Sequence, residues 1–391
     1  MDCLSFQTID LGPASHLAHP LWSETSALFG VTLPHSISLN VVDTYESLMI
    51  LLTYGATFWL AARFFRTISY AKTALKSFMI ASLLYAFYGL LIYFLDLKVI
   101  LWFDKTAYLN DVTSTFINRN TYATYAGLGT VVSIALLFES IGDQLRGNLT
   151  QREILRLIID NISKKAWLPF VALLLNATAL LQTHSRGGFL AFCFALLILI
   201  IGLTVARLLP KKLLITSFAI LGFGTFFAFS MSSDLTLQRL ENTSFENSMR
   251  DEVFALTWQA IQNSPVLGTG YGTYEEAFKA YKNNDIRVNA YTWDKAHNTY
   301  LEIAMELGIP AISSIIILLM ICLGLNLKAV FKRKRRQLYP IISASVIILV
   351  AVHALVDFSL QIPGFTVSFL FLAGMGWAQS WSDKRKSRKR T

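Results

Sequence analysis

The chain has 391 residues, of which 54% are hydrophobic and only 15% charged, and its mean hydropathy is +0.49. Those values exclude an ordinary soluble enzyme and indicate a polytopic membrane protein. The formal net charge of +9 matters less than its placement, and the three cysteines, Cys3, Cys193 and Cys322, show neither metal-ligand spacing nor a disulfide framework.

Residues 1–44 carry Pro13, Pro20 and Pro34 among scattered apolar residues, with no basic start and apolar block to mark a signal peptide. They read as an irregular or short-helical extracytoplasmic segment at a membrane surface. Nine apolar runs of about membrane-spanning length follow, near 45–65, 77–95, 121–141, 166–184, 188–207, 213–232, 300–325, 339–358 and 364–381. The chain therefore divides into the segment 1–44, six membrane helices in 45–232, a large loop at 233–299, three membrane helices in 300–381 and a basic tail at 382–391. The expected fold is all-α, a polytopic membrane helix bundle with a partly helical extracytoplasmic loop domain.

Charge orients the bundle. Every second connection is basic: Arg63, Arg66, Lys72 and Lys76 follow the first run, and Lys332 to Arg336 follow the seventh. The tail carries Lys384-Arg385-Lys386 and Arg388-Lys389-Arg390. The basic side reads as cytoplasmic, and the stretch 142–165 as a helix on the inner leaflet. No basic–aromatic interleaving suggests nucleic acid.

The opposite connections hold the polar residues that chemistry needs. The first, 96–120, contains Phe116-Ile117-Asn118-Arg119-Asn120. The second is a tight hairpin, Thr183-His184-Ser185-Arg186-Gly187-Gly188. A charge between two apolar helices is a functional candidate, and the alternative for Arg186 is a snorkelling side chain at a helix end. With no competing acid nearby in the hairpin, an anion partner is expected. In the long loop, Ser248 to Ile261 reads as an amphipathic helix with Val253, Leu256 and Ala260 on one face. Arg250 sits in its first turn, where the dipole also favours anions. A salt bridge to Asp251 or Glu246 is the plainer reading. Pro265-Val266-Leu267-Gly268-Thr269-Gly270-Tyr271-Gly272 superficially resembles a dinucleotide loop, but no strand precedes it and no βαβ unit surrounds it. It reads as a turn that reverses the chain.

Next comes Ala296-His297-Asn298-Thr299, where the polar loop becomes an apolar helix. Asn298 or Thr299 caps that helix. His297 then stands at its mouth, either as a proton acceptor near neutral pH or as an interfacial anchor. Glu302 and Glu306 follow at four-residue spacing and are expected to face the bundle interior, orienting His297 or pairing with the arginines. His353 and Asp357 share the same spacing near the end of the eighth run, either as a supporting pair or as a plain satisfied polar contact. No HExxH or carboxylate cluster is present, so neither a catalytic metal nor another cofactor is expected.

Cations and one histidine suit the transfer of a group from a lipid-linked diphosphate, with the arginines binding the diphosphate and the histidine taking the acceptor's proton. His297-Asn298 followed after nine residues by Gly308 resembles the histidine motif of the O-antigen ligase and polymerase superfamily. The Ser185-Arg186-Gly187-Gly188 hairpin, Arg250 followed by Pro265 to Gly270, and Phe116 to Asn120 are similar to further marks of that family. The resemblance runs from about residue 45 to the end.

It implies a metal-independent, inverting glycosyltransferase of the bacterial inner membrane, with its active site facing the periplasm. The donor it implies is an undecaprenyl-diphosphate-linked glycan. Carried over, Arg186 and Arg250 hold the diphosphate, His297 activates the acceptor hydroxyl, and Arg119, Asn120 and Asn298 contribute to substrate binding. Glu302, His353 and Asp357 support them. Lipid A–core as acceptor makes an O-antigen ligase, the reading favoured here. Another glycan chain makes a polymerase, and a protein serine makes an oligosaccharyltransferase. A lipid-linked-sugar flippase is the alternative from a different class; it needs gates on both sides, and the polar residues here gather on one. Family members usually have about twelve spans, so nine suggests that N-terminal helices are missing.

Overall fold

The computed structural model describes residues 6–13, 15–141, 151–161, 164, 166–209, 236–282, 293–333 and 335–381. The run expected at 213–232 and the basic tail lie outside the described residues. The elements in chain order are α1 (Pro20–Phe29), α2 (Val41–Phe64), α3 (Ile68–Phe94), a hairpin of β1 (Val99–Ile100) and β2 (Phe103–Asp104), α4 (Arg119–Ile141), α5 (Gln151–Asn161), α6 (Trp167–Gln182) and α7 (Arg186–Val205). After them come α8 (Thr236–Asn263), α9 (Tyr274–Lys279), α10 (Thr299–Leu307), α11 (Ile309–Lys332), α12 (Leu338–His353) and α13 (Pro363–Ser380). The expected all-α class is what the chain adopts. Among the described residues, α2, α3, α4, α7 and α11 are long and apolar enough to cross a membrane, and α6 and α12 are shorter apolar helices. The chain is a multi-pass membrane protein.

The run expected to be one helix over 300–325 is two. Gly308 sits at φ 82°, and Pro310 has no N–H to give to the carbonyl four residues back. The freed carbonyls at the end of α10 are used elsewhere: Met305 O accepts from Thr269 N at 3.0 Å, and Glu306 O from Gly270 N at 3.0 Å. Ile309 N donates to Pro265 O at 2.8 Å, so the Pro265–Gly272 turn is fastened along the break.

The chain divides into two compact units. The first comprises residues 1–56, 227–319 and 354–363. Its core gathers Val253, Ala260 and Ile261 of α8, the stacked rings of Tyr274 and Phe278 on α9, and Ala304 and Met305 of α10. The face expected on α8 is the one buried, but the helix begins at Thr236 rather than Ser248, so Arg250 lies within it and not in its first turn. Residues before α2 belong to this core too. Gln7 donates through Nε2 to Leu267 O (2.6 Å) and Glu306 O (3.0 Å), and Leu39 N donates to Thr269 O. The N-terminal stretch is thus clamped to the glycine turn, a pairing that no local pattern announces.

The second unit comprises 57–226, 320–353 and 364–391. Its centre is α4, buried along most of its length against α6, α7 and α12. Small residues allow that approach. A Cβ on Gly129 would lie 2.5 Å from Oδ1 of Asn176, a buried α6 side chain whose Nδ2 donates to Ala172 O and to Ser82 Oγ on α3.

Candidate functional site

The residues singled out from the sequence fall in both units. Arg250, His297, Asn298, Glu302 and Asp357 lie in the first; Arg119, Asn120, Arg186 and His353 lie in the second.

In the first unit the site is built around the start of α10. Asn298 is the cap: its Oδ1 accepts from Tyr300 N at 3.0 Å and Leu301 N at 3.1 Å. Thr299 serves another purpose, its N donating to Ala354 O and its Oγ1 to Asp357 O. His297 precedes the cap with its backbone in the left-handed region, φ 54°, a conformation that costs a side-chain-bearing residue about 1–2 kcal/mol. The half-buried imidazole meets two aromatic rings edge-on, Phe358 at 4.8 Å and Trp293 at 5.9 Å between centroids. Its Nδ1 is buried and makes no hydrogen bond among the described residues. Burial, and then the positive charge of Arg250, hold the imidazole below its ordinary titration range; Asp357 and Asp294 pull the other way. The ring is therefore kept neutral at neutral pH.

Arg250, partly buried on α8, has no ion pair with any described carboxylate. Of the partners expected for it, Asp251 does not pair, and the side chain of Glu246 lies outside the described residues. The two glutamates do not line a membrane bundle. Both are buried within the first unit, where they hold backbone. Glu302 Oε2 accepts from Ala296 N at 2.8 Å, fixing the residue next to His297, and Glu306 Oε1 accepts from Tyr274 N at 3.0 Å. Burial raises Glu302 to about 7, against the charge of Lys295. Burial and then the proximity of Glu302 raise Glu306 further.

In the second unit, Ser185 caps α7, its Oγ accepting from Gly188 N at 3.2 Å. The same hydroxyl donates to Asn120 Oδ1 at 2.8 Å, which ties the hairpin to α4. Arg186 follows at the first turn, exposed and without an ion pair among the described residues. An acid does reach the hairpin, contrary to expectation. Asp111 accepts from His184 Nδ1 through Oδ1 and from Arg119 NH1 through Oδ2, both at 2.8 Å. Burial opposes ionisation of this carboxyl, but the bond from His184 and the charge of Arg119 outweigh it and hold Asp111 below the usual carboxylate range. Arg119 also stacks over the Tyr108 ring at 5.3 Å. Its charge is thus largely answered within the protein, and that of Arg186 is not answered by any described carboxylate.

His353 and Asp357 do not share a helix face, because α12 ends at His353. His353 is buried and bonds through Nδ1 to Thr124 Oγ1 at 2.7 Å. Asp357 lies in the turn beyond and accepts from Ser359. Asp111, Tyr108, Trp293 and Phe358 were not foreseen; their partners are distant in sequence, and only the pairing gives them meaning. Among the described residues, no group of three or more His, Cys, Asp or Glu side chains is placed to hold a metal ion.

Residues 171–316 match the family model described as O-Antigen ligase. The matched segment carries Arg186, Arg250, His297, Asn298 and Glu302, so it supports the resemblance drawn from the hairpin, loop and histidine motifs, while Phe116–Asn120 lies outside it. No curated protein matches the chain.

Proposed function

We propose that this multi-pass membrane protein, of the O-antigen ligase and polymerase type of glycosyltransferase, transfers a glycan from undecaprenyl diphosphate to a hydroxyl of lipid A–core on the periplasmic face of the inner membrane. The observation that carries the reading is the His297 imidazole at the start of α10, whose buried Nδ1 has no hydrogen-bond partner among the described residues and whose titration is held below the ordinary range by burial and then by Arg250. A neutral imidazole accepts a proton; a charged one does not.

In the reaction the acceptor oxygen attacks the anomeric carbon from the side opposite the diphosphate. The carbon–oxygen bond to the diphosphate breaks, its electron pair leaves with the phosphate oxygen, and the hydroxyl proton passes to His297. The anomeric centre inverts. Arg250, whose charge acts on His297, offers a guanidinium that the described carboxylates leave unanswered, which supports a role in binding the diphosphate and its growing charge; the same role for Arg186, in the second unit, rests on the resemblance. Asn298 supports the base by fixing the start of α10, and Glu302 by holding Ala296. Arg119 and Asn120 position the hairpin that carries Arg186, and His353 ties α12 to α4 in the same unit. Asp357 holds Thr299 through its carbonyl oxygen.

The test is glycan transfer by purified, reconstituted protein. A lipid-diphosphate oligosaccharide is the donor, and lipid A–core, a glycan-lipid and a serine peptide are offered in parallel. Transfer to lipid A–core that disappears in His297→Ala, with donor binding kept, is the expected result. Transfer to the glycan-lipid or the peptide instead assigns the chain as a polymerase or an oligosaccharyltransferase. Full turnover by His297→Ala removes the histidine from the chemistry.

A further inference from the structure

The β1–β2 hairpin plays no part in the transfer described above, yet its shape is unusual for a connection between membrane helices. The chain leaves α3 at Phe94, turns at Asp96 (φ 52°), and does not continue away from the helix. It folds back. At the tip, Leu101 N donates to the hydroxyl of Tyr88, which lies six residues before the end of α3. Six residues are about 9 Å of helix. The 27 residues of α3 extend about 40 Å, against a hydrocarbon core of about 30 Å. Lys72 and Lys76 lie near its N-terminal end, so the excess length falls on that side and the apolar run 77–95 fills the core, and a tip bonded to the Tyr88 hydroxyl reaches the outer hydrocarbon.

The residues at that level are the ones a lipid surface favours. Trp102 is 79% exposed and Phe103 64%, beside exposed Leu101. They extend the apolar surface of α3, where Phe87, Leu91 and Phe94 are exposed along a membrane-spanning helix. Polarity rises from tip to base. Lys105 N closes the base on Lys98 O, the ammonium groups of Lys105 and Lys98 donate to the carbonyls of Asp111 and Leu109, and that of Lys98 also pairs with Asp96. Asp104 follows Phe103 and so alternates to the opposite face of the strand, which stops the finger at the interface. Aromatics inward and lysines outward is the order of a bilayer boundary.

We infer that the hairpin Val99–Asp104 is an interfacial finger, inserted into the leaflet at the C-terminal end of α3 with Trp102 and Phe103 among the upper acyl chains and Lys98 and Lys105 at the level of the lipid phosphates. Its base joins the segment that carries Asp111, so the finger sets the depth of the Arg119–Asp111–His184 cluster against the membrane. The occupant is bulk lipid.

The experiment places an environment-sensitive fluorophore at Trp102→Cys or Thr106→Cys. The host is the full chain with Cys3, Cys193 and Cys322 replaced by alanine, in vesicles of phosphatidylcholine and phosphatidylglycerol. Nitroxide on the acyl chain near the headgroup should quench the label at 102 at least about twofold more than the label at 106, with iodide showing the reverse order. Equal iodide quenching at both positions overturns the inference, as does a label at 102 shielded from both quenchers, the result expected of a tip covered by protein or by a second copy. Should the cysteine-free chain fail to fold, Trp102→Phe in the otherwise unchanged protein serves instead. The difference in tryptophan emission should then be quenched by brominated lipid, and a difference unaffected by bromolipid refutes the insertion.

Discussion

Gly308→Ala tests whether the break between α10 and α11 is required by the fold. A Cβ built there would lie 2.1 Å from Val266 O and 2.4 Å from Val266 C, both backbone atoms that cannot rotate away. The backbone at φ 82°, ψ 165° is one that only glycine adopts readily, and imposing it on alanine costs about 1–3 kcal/mol. To relieve the contact the turn 265–272 must move. Three bonds then stand to be lost: Ile309 N to Pro265 O, Thr269 N to Met305 O, and Gly270 N to Glu306 O. At about 1 kcal/mol net each, losing one to three of them brings the total to about 2–6 kcal/mol. Gly324 is the control. It lies inside α11 with nothing within 4 Å of its built Cβ, so Gly324→Ala should be neutral or stabilising by up to about 1 kcal/mol. Thermal unfolding of both variants in the same detergent, followed by size-exclusion and intrinsic fluorescence, reads the contrast. A Gly308→Ala protein that melts with the wild type would refute the argument that the turn and the break hold each other.

Acid should lower the rate of the proposed transfer. His297 titrates below its ordinary 6.5, so kcat/KM should be level above that pH and fall as the imidazole protonates beneath it; a rate that climbs on acidification rules out a neutral base. The same shift adds stability that is present above 6.5 and lost as pH falls through the folded value. Glu302 and Glu306 act with opposite sign. Both are raised from 4.5, to about 7 and about 8, so their contribution is full below 4.5 and disappears as pH rises through those values. Glu306→Gln should therefore flatten the decline in melting temperature between those limits, and an unaltered slope refutes the assignment. Glu302→Gln should keep an oxygen for Ala296 N and most of the turnover, whereas Glu302→Ala leaves that buried N–H unmet at about 1–3 kcal/mol and should lose both stability and rate; equal damage from the two places the importance in the charge. Asp111→Ala should lower the melting temperature, at about 1–3 kcal/mol, by releasing His184 and Arg119 together. A further His184→Ala on that background should add little, and full additivity would show that the two do not share the carboxylate.

The helices were legible because burial in lipid leaves a long apolar record in the sequence: α2, α4 and α7 lie within a few residues of where hydropathy puts them, whereas α3 begins at Ile68, ahead of the expected 77, and takes in Lys72 and Lys76. The cap at Asn298 and the buried stripe of α8 were legible for a related reason: both are local patterns, closed within one or two turns. What was not legible is every relation that joins distant segments. Gln7 reads as an ordinary polar residue until its side chain is seen spanning Leu267 and Glu306. Asp111 is one acid in a mixed loop until His184 and Arg119 meet it. Glu302 and Glu306 have the spacing of a polar stripe facing a bundle interior, but the helix that carries them stops at Leu307; Gly308 and Pro310 mark that stop in the sequence, and the packing of Gly308 against Val266 shows what it serves.

The same distinction explains how the histidine is held. Three segments far apart in the chain converge on the nine-residue helix that follows His297. Residues 265–270 take up the carbonyls at its end, Gln7 joins them, and the turn after α12 receives Thr299 at its start through Ala354 and Asp357. The helix is too short to be stable on its own, so its position is set by these contacts and by the burial of Ala304 and Met305. Of the three, only the glycine turn lies within the matched segment 171–316. A substitution at Gln7 or in 354–361 therefore acts on the placement of His297 without touching any residue that the family motif names. Loss of rate in Gln7→Ala with donor affinity unchanged is the expected mark of that dependence, and an unaltered rate would confine the machinery to the motif itself.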